Sequence, residues 1–175
     1  KAVEKAQEAL NAYPAAFDAV WTDIAGRKLG LAAPGMEDKS LFNDFLTLMA
    51  TAKADFTLSF RSLIAAATGD ESALRAHLTD PTTLDPWLAT WRARLAEDGR
   101  SEDAAAEAIR QVNPLYIPRN HIVENVIEAG LHEDFAPFHA LNEVLADPFT
   151  EQPGKEAYAA PAPAEAAVHR TFCGT

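Results

Sequence analysis

The side chains most able to do chemistry are gathered in NPLYIPRNHIVENVIEAG, residues 113–130. Asn113, Tyr116, Arg119 and Asn120 bring amide, phenol and guanidinium groups close together in the chain, a set suited to an anion or a carboxylate. Asn113 precedes Pro114 and is held out of the α region, so a helix must stop there and Tyr116 falls in an extended segment. Pro118 suits the first position of a new helix, where the N–H it lacks would go unpaired anyway. Arg119 and Asn120 are then expected in an opening helical turn, whose free N–H groups and partly positive end favour an anion. The same residues also make a rigid corner between two helices, with Tyr116 as a wedge and the asparagines bonded to local backbone. Residue types alone leave both readings open, and the corner is the simpler.

Other reactive types are sparser. Glu124, Glu128 and His132 recur every four residues on one helical face, with His139 beyond, which is ligand-like spacing for a metal but equally an ordinary solvated face. His121 beside Arg119 has no nucleophile near it in sequence and reads as a polar residue of a first turn. Trp87 and Trp91, one turn apart, could stack on a base, but large aromatics at helical spacing more simply fill a core. No GxGxxG or GxxxxGK[ST] loop is present to cradle a phosphate, and no DFG or HRD motif marks a kinase-type site. Cys173 is the lone cysteine, so no disulfide can close within the chain, which fits a reducing cytoplasm; it reads either as an accessible redox thiol or as an inert one packed beside Phe172.

Such residues must be carried by a scaffold, and composition bounds it. The chain has 175 residues, 48% of them hydrophobic and 23% charged, as expected of one water-soluble domain with a tail. No apolar run nears the roughly 20 residues needed to span a bilayer, so a membrane protein is not expected. A net charge of -11 with scattered Lys and Arg repels phosphate backbones, which argues against nucleic acid as a partner. The first residue is Lys1 and no signal-like leader follows, so the chain is expected to be the C-terminal piece of something longer, with a processed start as the alternative.

Helical periodicity dominates the scaffold. Phe17, Val20, Trp21 and Ile24 form a stripe after Pro14, which is expected in a first turn. Leu41, Phe42, Phe45, Leu46 and Met49 form the next, behind Asp38 or Ser40 as N-cap. Further stripes are Phe56/Phe60/Leu63/Ile64, Leu84/Trp87/Leu88/Trp91/Leu95, Ile122/Val123/Val126/Ile127 and Phe138/Leu141/Leu145, with Ser101 capping a helix that runs to about Val112. No stretch alternates as a strand does. The expectation is an all-α, irregular multi-helix bundle over residues 1–147, and a Pro/Ala-rich extended tail over 148–175 ending in Cys-Gly-Thr.

The block VNPLYIPRNHIVENVIEAG, the later LADPFTEQ and the ending FCGT, with GRKLGL and ADFTLSFRSL upstream, resemble the C-terminal portion of the SelO family of pseudokinase-fold protein adenylyltransferases. The N-P-x-Y-x-x-R-N block is the most specific part. The resemblance implies that a longer parent transfers AMP from ATP, with Mg2+ or Mn2+, to Ser, Thr or Tyr hydroxyls of protein substrates. It also implies that the parent's catalytic and metal-binding residues lie upstream, in a kinase-like domain. No catalytic, cofactor-binding or metal-binding residue is therefore assigned to this chain. Cys173 stands third from the end, where family members carry cysteine or selenocysteine, although Gly174 and Thr175 replace the commoner serine-rich ending. By the resemblance it would pair with a cysteine of the kinase-like domain.

The reading reached is a helical C-terminal region of a bacterial, cytoplasmic SelO-like enzyme that supports or gates the kinase-like domain and is not catalytic alone. Asn113, Tyr116, Arg119 and Asn120 would lie at the interface with that domain or contact an anion. The rival is a self-sufficient helical interaction module with a closed polar exterior. A free-standing enzyme using residues 121–139 ranks last.

Overall fold

The computed structural model describes residues 1–163, and among these every regular element is a helix. Cys173 and Phe172 lie outside the described residues. The chain divides into two compact units, Lys1–Asn113 and Pro114 onward.

The first unit is built from α1 (Ala2–Lys28), α2 (Lys39–Ala52), α3 (Phe56–Ala67), the short α4 (Ser72–Ala76), α5 (Asp85–Glu97) and α6 (Glu102–Val112), with 3-10 turns at Met36–Asp38 and Pro81–Leu84. The caps are those their chemistry dictates. Asp55 accepts from the Leu58 N–H at the head of α3, and Ser101 accepts from Ala104 N–H at the head of α6. Asp38 stands before α2 but turns its carboxylate back to the Gly35 N–H, so it closes the preceding 3-10 turn instead of capping the helix.

A run of aromatic contacts threads the core: Trp21 edge-on to Phe42, Phe42 on Phe60, Phe60 edge-on to Phe45, Phe45 on Trp87 at 4.5 Å, and Trp87 on Trp91 at 5.4 Å. Both tryptophans are buried, and each indole N–H reaches a carbonyl, Leu41 for Trp87 and Leu29 for Trp91. They pack the core and are no platform for a base. Leu63, Leu74, Leu84 and Ile109 complete the interior.

Two features of α1 differ from the sequence expectation. Pro14 lies inside the helix and not in its first turn. The stripe it was to carry is not core: Phe17, Val20 and Ile24 are 51%, 59% and 48% exposed, and Trp21 is half-buried. What α1 buries in its own unit is Thr22, Ala25 and Gly26 near its C-terminal end.

The second unit pairs α7 (Asn120–Leu131) with α8 (Ala136–Ala146), followed by a single turn, α9 (Glu156–Ala159), within the Pro/Ala-rich stretch. Glu133, at φ +62°, reverses the chain between the two helices, and Asp134 accepts from Ala136 N–H to open α8. Leu141 and Val144 of α8 are buried, whereas the Ile122/Val123/Val126 stripe of α7 is only half-covered and Ile127 is exposed.

Candidate functional site

A dense polar construction of the first unit surrounds GRKLGL, residues 26–31, where α1 ends. A helix end leaves its last carbonyls without intrahelical partners. Here the last of these, and the two carbonyls that follow the helix, are met by side chains from distant parts of the chain. Lys28 O accepts from Asn113 Nδ2 at 2.9 Å, Leu29 O from Trp91 Nε1 at 2.8 Å, and Gly30 O from the Arg100 guanidinium. The glycines make this geometry attainable. Gly30 is left-handed, at φ +85°, and a Cβ there would stand 2.7 Å from Ile109 Cγ1; a Cβ on Gly26 would meet Pro34 at 2.3 Å.

Asn113, 1% exposed, closes this hub. Its Oδ1 accepts from Lys28 Nζ at 3.0 Å, and its amide donates to both Lys28 O and Ile109 O. Its backbone carbonyl accepts from Arg61 Nη1 at 3.0 Å. Lys28 Nζ also lies 5.2 Å from the Phe60 ring centre and 5.7 Å from that of Phe56, and burial pulls its pKa below the usual lysine range. GRKLGL and DFTLSFRSL are thus joined through Asn113, and with it to the start of NPLYIPRN.

A second network braces the loop after α1. Arg94 reaches Asp38 at 2.7 Å and Asp98 at 2.8 Å and donates to Ala33 O, while Asp98 accepts from Ala32 N–H. Burial alone would raise the Asp98 pKa, but the Ala32 N–H, Arg94 and Arg100 outweigh it and hold the carboxyl below its usual range. The two carboxylates drive the Arg94 guanidinium the other way, to a raised pKa. Of these two networks residue types picked out only Asn113; its distant partners were signalled by no more than the motifs GRKLGL and FRSL.

An open groove of about 700 Å3 lies beside Gly69, Glu71, Arg92, Leu95, Arg100 and Ser101. Its size would suit a small molecule. Its cations are already committed, Arg92 to Glu71 at 2.6 Å and Arg100 to Gly30 O and Asp98.

In the second unit Tyr116 is buried and tied to the DPFTEQ motif. Its hydroxyl accepts from Gln152 N–H at 3.0 Å, and Pro148 O accepts from the N–H groups of Leu115 and Tyr116. Gln152 Nε2 in turn donates to Val144 O and Asp147 O at the end of α8. Pro118 does not begin α7, because Arg119 N–H bonds back to Ile117 O at 2.8 Å around it. Arg119 is the extended N-cap residue, buried, and Asn120 is the first helical residue, exposed. His132 Nδ1 lies 2.9 Å from Glu128 O and 3.7 Å from its carboxylate on an exposed face. Among the described residues no three His, Cys, Asp or Glu converge as a metal site, and no helix is long and apolar enough to cross a membrane.

Comparison with known proteins gives these motifs a context. Residues 2–146 match the model of the family described as protein adenylyltransferase SelO. The whole chain is 45% identical to a protein nucleotidyltransferase YdiU of Bradyrhizobium sp. (strain BTAi1) and 46% identical to one of Rhodopseudomonas palustris (strain HaA2), covering 36% of each. All of this chain likewise aligns at 46% identity with a YdiU of Cereibacter sphaeroides, covering 35% of it. The chain therefore spans about a third of the length of the curated relatives it matches.

Proposed function

The chain belongs to the SelO family, and from that premise we propose that it is the C-terminal helical region of a longer protein nucleotidyltransferase that transfers AMP from ATP to hydroxyl groups of proteins. In that reaction a substrate hydroxyl attacks the α-phosphorus, the bond to the β-phosphate oxygen breaks, pyrophosphate leaves, and the hydroxyl proton passes to a base. The described residues of this chain do not fit ATP or its metal. They form no convergent carboxylate set, and the guanidinium groups at the groove are engaged by Glu71, Asp98 and Gly30. Nucleotide, Mg2+ or Mn2+, and the base belong to a kinase-like domain in the rest of the polypeptide. The role of this region is to support or gate that domain, with Arg119 and Asn120 at the contact and protein substrates engaged by the whole enzyme.

The observation carrying this reading is the match over residues 2–146 to an adenylyltransferase family, with only about a third of each relative covered. The exposed apolar stripe of α1 counts against a self-sufficient module, which would close its exterior with polar groups. The test uses the polypeptide of the relatives' full length with Mg2+ or Mn2+ and ATP labelled on either the α- or the γ-phosphate. Protein labelling from the α-phosphate alone, with release of pyrophosphate, is expected. Labelling from the γ-phosphate, or from neither, would overturn the proposal.

A further inference from the structure

From residue 2 to residue 20 α1 buries no side chain, although Pro14 stands in its interior, where the ring removes a backbone hydrogen bond and crowds the preceding turn. A solvated helix interrupted in this way is poorly sustained by propensity alone. Its exposed apolar residues are not scattered. Leu10, Tyr13, Phe17, Val20 and Ile24 fall at alternating spacings of three and four, one continuous seam along the helix. Over residues 9–21 the positions beside the seam are uncharged, with Ala9 and Ala16 on one side and Pro14 and Trp21 on the other, and Asp23 flanks only its C-terminal end. Upstream of Asp23 charge is kept off this face: Glu4, Glu8 and Asp18 lie elsewhere on the helix, and Asp18 meets Lys39 of α2 at 2.9 Å.

We propose that this face docks into an apolar surface on the rest of the same polypeptide, the part that the longer relatives carry beyond the matched region. Two observations choose that occupant over a second copy. A two-stranded pairing of copies draws its register from charged residues flanking a narrow seam, and of the positions flanking this one only Asp23 is charged, already paired with Arg27 of the same helix at 3.5 Å. With alanines alongside, the apolar face is wide enough to be buried by a domain body. The chain also covers only 36% of a relative's length, which leaves ample polypeptide to supply one. The inference rests on the proposed function in taking that body to be the kinase-like domain. Docking would fix α1, and through Lys28, Leu29 and Gly30 the hub of the first unit, against the catalytic part.

The test is amide hydrogen exchange on the full-length polypeptide as a monomer. The amides of residues 5–20 should exchange at least about 100-fold more slowly than free-peptide rates. Phe17→Glu should remove that protection, and Ala15→Glu, on the opposite face, should leave it intact. Unprotected α1 in the wild-type protein overturns the proposal, whether or not the Phe17 variant folds. Protection that appears only as the concentration drives dimer formation also overturns it, in favour of a second copy. AMP transfer is scored in parallel. Transfer with unprotected α1 refutes the docking alone, and protected α1 without transfer refutes the activity alone.

Discussion

Replacing Asn113 with alanine should destabilise the first unit by about 3 kcal/mol. The side chain is 1% exposed and makes three hydrogen bonds. Its removal leaves Lys28 O, an end-of-helix carbonyl in α1, without its side-chain donor, at a cost of roughly 1–3 kcal/mol for a buried polar group. Ile109 O loses less, because it still accepts from the Asn113 backbone N–H at 3.0 Å. Lys28 Nζ loses an acceptor while half-buried, worth about 1 kcal/mol after solvent screening. Urea unfolding followed by tryptophan fluorescence isolates the effect, because Trp21, Trp87 and Trp91 all lie in the first unit. With an m-value of about 2 kcal/mol per molar, the midpoint should fall by roughly 1.5 M. Asn113→Asp separates the contributions, since it keeps an acceptor for Lys28 but turns carboxylate oxygens toward two carbonyls. It should rescue little. A midpoint shift below about 0.5 M for alanine, or full rescue by aspartate, would refute the hub as the anchor of α1.

Gly30→Ala should cost about 2–4 kcal/mol, combining left-handed strain with the clash at Ile109, whereas Gly99→Ala, at φ +66° with open space around it, should cost only about 1 kcal/mol; equal midpoint shifts in the same urea assay would remove the steric argument. The folded-state pKa of Asp98 is depressed, so its stabilising contribution is complete above the unfolded value of about 3.9 and is lost as pH falls through the lower folded value. Asp98→Asn should therefore be less stable than wild type at neutral pH and show a flatter stability profile below about pH 4; parallel profiles would contradict this.

The helices were legible because the 3.6-residue period of Leu41/Phe42/Phe45/Met49 and of Trp87/Leu88/Trp91 follows from helix geometry alone. These stripes are buried as their spacing implies. The same period could not say what covers a stripe. Phe17, Val20 and Ile24 have core spacing and lie exposed, since burial depends on which surfaces are present to meet the helix. Proline position was ambiguous for a related reason: fixed φ suits both a first turn and, at a cost, an interior, and Pro14 takes the interior. Pro118 stays outside α7 because the Arg119 N–H is spent on Ile117 O. NPLYIPRN was visible as a chain stop before Pro114, a purely local steric effect. That Asn113 would answer Lys28, that Trp91 would answer Leu29, and that Tyr116 would hold Gln152 are matters of side chains meeting across 36 to 85 residues of sequence. Local rules of spacing and propensity carry no information at that range, and only the packed chain decides which donor reaches which carbonyl.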